Sequence, residues 1–348
     1  MSAHTSVLCA IPGLVWPAPG LHEILSSLDL PGLSTLLARA EVQHATHISF
    51  DAWLAAEFGQ PVSPPFAAIR LAGEMGTAPD AGSLWVCADP VNLRFARQSL
   101  LLDGPAALDL QAHEMTSLFD DLNKSFGDAG KFVCTSRCGY LALDAAHADK
   151  LATTLSPLCD VENRPVTHFQ PQGKHADWWS RLSNELQVFC HNHAVNAARE
   201  ARGAPGLNAL WLWGAGMAPA TLAAPAARLA AHLVNPQPLL AGLARLAQTK
   251  LEVFEPQHAA EWLVVDALFE PAQQRDAARW AQALQTLDAE VLVPLAKQLR
   301  ERKIARLTII SPGDSTLARF DISPPPRWQI WQNRASKARL LAALGYPA

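Results

Sequence analysis

Several absences narrow what this chain can be. Charge of one sign is not concentrated anywhere: 28 Lys and Arg stand against 32 Asp and Glu, for a formal net charge of -4. No basic block exists to track a phosphate backbone, so a nucleic-acid partner is not expected. The six cysteines, Cys9, Cys87, Cys134, Cys138, Cys159 and Cys190, contain no Cys-x-x-Cys pair. Cys134 and Cys138 lack a second pair to complete a zinc site, and buried free thiols are the default. No apolar run reaches the ~18 residues of a membrane span. The N-terminal stretch has no basic start, and Pro12 and Pro17 interrupt its apolar residues. No signal peptide or membrane attachment is therefore expected, and a cytoplasmic location is. GxGxxG, P-loop, GxSxG and HExxH patterns are all missing, which removes the commonest nucleotide, hydrolase and zinc-peptidase signatures. Tyrosine is scarce too, at two residues against 11 tryptophans. The tryptophan pairs Trp178/Trp179, Trp211/Trp213 and Trp328/Trp331 read first as core filler.

What is present reads as a globular chain, with 49% hydrophobic and 17% charged residues. Ser6 to Ile11 reads as a first strand ending at Pro12-Gly13. Helices are expected at Leu21 to Leu28, Leu33 to Glu41 and Ser49 to Phe58. Strands at Leu84 to Ala88 and Leu100 to Leu102 and a helix over Leu108 to Phe126 come next. A hairpin joins Phe132 to Ser136 with Tyr140 to Leu143, and Ala145 to Leu155 reads as helical. Residues 219 to 248 read as alanine- and leucine-rich helix. Beyond them, strands at Leu251 to Phe254, Trp262 to Asp266 and Arg306 to Ile310 frame a long helix, Gln273 to Arg300. Pro294 should kink or end that helix. Such alternation argues for an α/β fold with helices on both faces of a parallel or mixed sheet. Sites in these sheets form at strand ends, here notably Asp266 and the turn at Asp314.

The stretch from His191 to Gly216 is the most site-like. A helix from Trp178 reaches His193, Gly203, Pro205 and Gly206 break it, and a strand from Ala209 runs into Gly214 and Gly216. His193, Asn196, Arg199 and Asn208 are brought close by this route. They read either as a polar hinge or as a pocket wall, since glycine turns let a ligand approach the backbone.

Taken together, the order of elements resembles the archaeal-type cofactor-independent phosphoglycerate mutases of the alkaline phosphatase superfamily. The family pattern His-Pro-Val-Asn…Arg, Pro-Ala-Asn-Ala and Gly-x-Gly is similar to His193-Ala194-Val195-Asn196, Arg199, Gly206-Leu207-Asn208-Ala209 and Gly214-Ala215-Gly216. Asp89 and Arg94 look like its Asp…Arg segment. A proteobacterial group labelled RpfE-type or phosphoglycerate mutase-like is also similar. The resemblance implies a three-layer α/β/α core over residues 1–82 and 218–348, with an inserted α+β lid domain over 83–217. It also implies a nucleophilic serine and two metals that brace an in-line phosphoryl transfer.

The chain departs from that pattern where the chemistry lies. Pro12 and Trp16 replace the first strand's Asp-Gly-x-x-Asp ligands, and Phe50-Asp51 replaces the nucleophilic Ser-Asp. Asp266-Ala267-Leu268-Phe269-Glu270-Pro271 replaces Asp-x-x-x-His-Asp, and Asp314-Ser315-Thr316 lacks the histidine of Asp-His-Ser-Thr. Asp51, Asp266, Asp314 and Glu270 remain as isolated carboxylates, Asp266 and Asp314 also readable as cap or turn residues. The expectation is a non-catalytic, regulatory relative without catalytic residue, metal or cofactor. It would bind a small anionic metabolite, phosphorylated or not, or a protein partner, through Arg94, His193, Asn196, Arg199 and Asn208. The alternative is an active mutase or phosphomonoesterase with a site of another kind.

Overall fold

The structure, a computed structural model, describes residues 5–16, 18, 20–61, 63–96, 98–135, 137–225, 227–258, 260–313, 316–326 and 334–345. Asp314, Ser315, Trp328 and Trp331 lie outside them. The chain opens with β1 (Thr5–Ala10), α1 (Leu21–Ser27), α2 (Pro31–Leu37), β2 (Glu41–Thr46), α3 (Phe50–Glu57) and α4 (Phe66–Met75). It continues through β3 (Leu84–Ala96), β4 (Ser99–Asp103), α5 (Ala112–Ser125), β5 (Gly130–Cys134) and β6 (Gly139–Leu143). Then come β7 (Thr153–Thr154), α6 (Leu158–Val161), β8 (Gln172–Gly173), α7 (Ala176–His191), α8 (Val195–Ala201) and β9 (Ala209–Met217). The last part holds β10 (Leu229–His232), α9 (Pro238–Leu246), β11 (Glu252–Val253), β12 (Trp262–Val265), α10 (Phe269–Gln273) and α11 (Ala277–Leu287). It ends with α12 (Val293–Arg300), β13 (Ile304–Pro312), β14 (Thr316–Ile322) and α13 (Lys337–Ala343). Among the described residues no helix is long and apolar enough to cross a membrane.

Two compact units result. One comprises residues 1–53, 225–236 and 249–348, and the other 54–224 and 237–248. The first is built on a seven-stranded sheet of order β11-β10-β12-β1-β13-β14-β2, in which β14 runs antiparallel to both of its neighbours. The inner strands β1, β12 and β13 are near-continuous apolar runs, as parallel strands covered on both faces must be. Cys9, Leu263, Val265, Leu307 and Ile309 point into one core with Leu33, Leu36, Trp280, Leu284 and Leu292 from the helices. Side chains alternate along a strand, so Trp262 faces the other way, and there its ring meets Trp53 of α3 at 6.1 Å.

In the second unit β3 is the spine. Its early residues pair with β6 on one side and β9 on the other, and its end pairs with β4. Helices α5 and α7 cover this sheet through Met115, Phe119, Trp179 and Leu186. Helices α4 and α9 also belong here. A Cβ on Gly73 would fall 1.9 Å from the Pro238 carbonyl oxygen, and one on Gly242 would fall 1.8 Å from that of Ile69. Only glycine permits backbones to touch in this way. The division therefore differs from boundaries at 82 and 218, because this glycine contact ties two helices outside 83–217 to one another and to the unit of β3.

Some expected elements change. The alanine-rich run 219–248 supplies β10 before α9, because Leu229, Ala230 and Ala231 are buried between β11 and β12, and tertiary burial overrides helix propensity. Helix α2 ends at Leu37, and the next residues form edge strand β2 rather than more helix. Ala145 to Ala152 is 3-10 helix rather than α-helix, and the chain then enters β7. The long helix 273–300 breaks into three pieces. A π-helical turn over Asp288–Leu292 precedes Pro294 and accommodates its missing N–H. That turn also aims Asp288 at the start of α2, where its carboxylate oxygens accept from the Gly32 and Leu33 N–H groups at 2.9 and 2.6 Å. Burial raises the Asp288 pKa above the usual carboxylate value, against the pull of those two bonds.

Candidate functional site

The carboxyl ends of β1, β12 and β13 are where the mutase-like chemistry would be. Gly13 makes the turn that leaves β1, with φ +79°, and a Cβ there would meet the Leu268 carbonyl oxygen at 2.6 Å. The Gly13 N–H donates to the Pro312 carbonyl, and the Val15 N–H donates to Ser311 Oγ at 3.0 Å. Trp280 Nε1 donates to the Gly13 carbonyl at 2.8 Å, and the Trp16 and Trp280 rings lie 5.9 Å apart. Phe50, at the first turn of α3, packs its ring on Phe269 of α10 at 5.2 Å and is buried. Trp16 and Phe50 thus each have an aromatic surround, and Pro12 is buried.

The carboxylates nearby have local tasks. Asp266 is buried and accepts from the Val234 N–H at 2.7 Å and the Asn235 N–H at 3.4 Å, closing the turn after β10. Glu270 accepts from Asn235, Gln274 and Arg279. Among the described residues, no three His, Cys, Asp or Glu side chains converge as a metal-holding group. The surround offers packing and backbone fixation, with no hydroxyl or thiol at Phe50 to act as nucleophile.

The five residues expected to bind a ligand all lie in the second unit, and each has protein partners. Arg94 donates to Asp103 at 2.6 Å and to Asn163 at 3.2 Å, and its side chain is 43% exposed. His193 receives the Val195 N–H on Nδ1 at 3.2 Å, which leaves Nε2 to carry the proton toward Asp121 at 3.2 Å. Its ring borders a groove of about 560 Å³ with Asp121, Lys124, Glu185 and Phe189. Lys124, and after it His193, holds the Asp121 carboxyl below the usual carboxylate range. Asn196 donates to the Cys190 and Leu207 carbonyls and accepts the Leu207 N–H. Asn208 accepts the Leu93 N–H and donates to the Leu93 carbonyl, while Asn92 donates to Gly206. Asn92 and Asn208 therefore lock the turn at Gly206 onto β3, and Asn196 ties it to the end of α7.

Arg199, expected on a pocket wall, is fully buried. Its guanidinium donates to Glu114 Oε2 at 2.5 Å, to the Pro205 carbonyl at 2.7 Å and to the Leu108 carbonyl. Burial opposes the Glu114 charge, but the Gln111 N–H, Arg199 and Arg202 together keep its pKa below the ordinary value. The structure thus gathers Asn196 and Asn208 around one turn, Arg94 at the far end of β3, and Arg199 beneath the surface.

The sequence reading passed over Arg70. It sits in α4 among alanine, isoleucine and leucine, and it is buried. Its fork meets fully buried Asp89 at 2.7 and 2.8 Å, and Nε donates to Tyr140 Oη at 2.9 Å. Trp213 Nε1 donates to the same carboxylate at 2.7 Å, and Arg70 stacks over the Tyr140 and Trp213 rings. Burial disfavours the Arg70 cation, yet Asp89, with Cys87, Cys138 and Tyr140, holds its pKa well above the usual arginine value. Burial likewise pushes the Cys87 and Cys138 thiols up, away from the nucleophilic thiolate. A lone arginine in an apolar helical run is the signal that could have found this pair. Asp89, grouped with Arg94 by motif, is bound to Arg70 instead.

No family model matches the chain. It is 26% identical over 155 residues to a probable 2,3-bisphosphoglycerate-independent phosphoglycerate mutase of Geobacter sulfurreducens, covering 44% of this chain and 38% of that protein. With the 2,3-bisphosphoglycerate-independent phosphoglycerate mutase of Methanosarcina barkeri, identity is 31% over 67 residues, covering 19% of this chain and 17% of the other. The matched stretches thus span well under two thirds of either relative's length. The structure of the PH0037 protein from Pyrococcus horikoshii superposes with a TM-score of 0.56 at 13% identity, covering 98% of this chain and 93% of that one. A cofactor-independent phosphoglycerate mutase from Thermoplasma acidophilum gives a TM-score of 0.42 at 14% identity, covering 97% and 94%. The sequence relation to these mutases is weak, and the likeness to PH0037 is one of fold, in keeping with the expected α/β class.

Proposed function

We propose that this protein is a catalytically silent relative of the cofactor-independent phosphoglycerate mutases, acting in regulation by binding a protein partner. One observation carries the reading. Phe50 stands where the resembling motif has its nucleophile, and its ring is held against Phe269. Phosphoryl transfer of this kind needs an attacking oxygen and a metal pair. A phenyl ring supplies no such oxygen, and the carboxylates Asp266 and Glu270 are engaged by backbone and side-chain donors.

The preference for a protein over a small anion rests on Arg199, Asn196 and Asn208. All three have their polar atoms turned to backbone or to Glu114. A guanidinium recognises phosphate by presenting its fork, and the fork of Arg199 already faces Glu114 and the Leu108 carbonyl.

The test is interconversion of 3- and 2-phosphoglycerate by the purified full chain, with magnesium, manganese or zinc supplied. The expected result is no turnover above a blank. Turnover that a single serine or threonine substitution abolishes would overturn the proposal and point to a site of another kind.

A further inference from the structure

The two edges of the seven-stranded sheet are built differently. At one edge β11 is only two residues long, and Lys250 and Arg228 flank its Glu252 at 3.4 and 3.7 Å. Short length and charge are the usual protection of an open edge. At the other edge β2 runs for six residues, Glu41-Val42-Gln43-His44-Ala45-Thr46, and all six are exposed. It pairs with β14 on one side, and no described strand pairs with it on the other. The strand contains no lysine, arginine or proline, and its pairing with β14 is regular from Glu41 to Thr46.

We propose that β2 is a self-association edge, pairing antiparallel with β2 of a second copy about a twofold axis. The sequence of the strand suits this partner. In an antiparallel ladder, residues facing each other are both of the hydrogen-bonded kind or both of the other kind. A twofold axis must then pass through a residue pair, never between two pairs. Centred on Gln43, the ladder sets Gln43 against Gln43, Val42 against His44 and Glu41 against Ala45. Centred on His44, it sets His44 against His44, Val42 against Thr46 and Gln43 against Ala45. Neither register opposes two carboxylates or two permanent cations, and like charges directly opposite are what forbid such pairs. An isologous contact of this sort closes on itself, so assembly stops at two copies. One six-residue ladder is a small contact compared with the roughly 1,200–2,000 Å² of a stable interface. The dimer should therefore be weak and concentration-dependent.

Sedimentation equilibrium of the full chain over a wide concentration series is the test, combined with a charge swap. Val42→Lys/His44→Lys places lysine opposite lysine in either register. Val42→Glu/His44→Glu does the same with carboxylates. Each variant alone should stay monomeric, with a melting temperature close to that of the wild type because both positions are exposed. An equimolar mixture of the two should associate more tightly than the wild type. A wild type that remains monomeric throughout would overturn the proposal. So would lysine variants that dimerise as well as the wild type, or a mixture that fails to associate. These outcomes are read without any turnover assay, so they stand or fall apart from the catalytic reading.

Discussion

Phe50 and Phe269 lie with ring centroids 5.2 Å apart and planes inclined by 58°. A tilted aromatic pair of this kind adds stability beyond burial alone. The position where the resembling motif carries a hydroxyl is here part of a packed apolar contact. Phe50→Ser should therefore create no mutase activity, since no metal-holding group of described residues accompanies it. It should instead destabilise the fold by about 3–5 kcal/mol, the range for deleting a buried ring. Urea denaturation and a phosphoglycerate assay on the same variant check both halves. Turnover gained with Phe50→Ser would count against the reading of a lost site.

Metal removal gives a second check. A ligand that binds only the folded state raises the melting temperature, and its removal lowers it. EDTA should leave the melting curve of the purified chain unchanged, and elemental analysis should find no stoichiometric manganese or zinc. Two tightly held equivalents per chain, with a chelator-sensitive melt, would contradict the proposal.

Arg70 and Asp89 form a buried pair that Trp213 and Tyr140 complete. Removing one partner strands the other charge, at a cost of about 3–5 kcal/mol. Arg70→Met and Asp89→Leu should each approach that loss. The double variant should recover a large part of it, because two apolar side chains leave no buried charge. Equal, additive losses in a double-mutant cycle would mean that the two groups act independently.

The Glu114 carboxyl has a folded pKa depressed below its unfolded value, which is about 4.3 for an ordinary glutamate. Its contribution is complete above that unfolded value and is lost as pH falls through the lower folded one. Wild-type stability should thus decline once the pH falls below about 4.3. Glu114→Gln should lower stability at neutral pH and flatten that acid decline, as read from urea midpoints across the pH range. A variant as acid-sensitive as the wild type would remove Glu114 from the account.

Anion binding separates Arg94 from Arg199. Arg199→Ala should lower the melting temperature without any ligand present, because it leaves Glu114 and two backbone carbonyls short of a donor. Arg94→Ala, on a side chain 43% exposed, should do so little. Screening phosphorylated metabolites by thermal shift at millimolar concentration should give no rise in the wild type. A rise that Arg94→Ala removes would restore the small-anion reading.

Much of this protein is set by the order of its residues alone. Short β-branched apolar runs such as Trp262–Val265 favour buried strands, and Pro12-Gly13, Pro236 and the Gly203–Gly206 turn punctuate the chain wherever they lie. The lack of a serine at position 50 is equally a matter of sequence. What tertiary structure alone decides is which polar groups face one another. Arg199 reads with His193, Asn196 and Asn208 as part of a pocket wall, yet it is enclosed with Glu114, 85 residues away. Asp89 reads as part of a segment with Arg94 but is bound across the unit by Arg70. Leu229 to Ala231 reads as helix until two flanking strands bury it. Local propensity is worth tenths of a kilocalorie per residue. A stranded buried charge costs several, so long-range burial prevails wherever the two disagree.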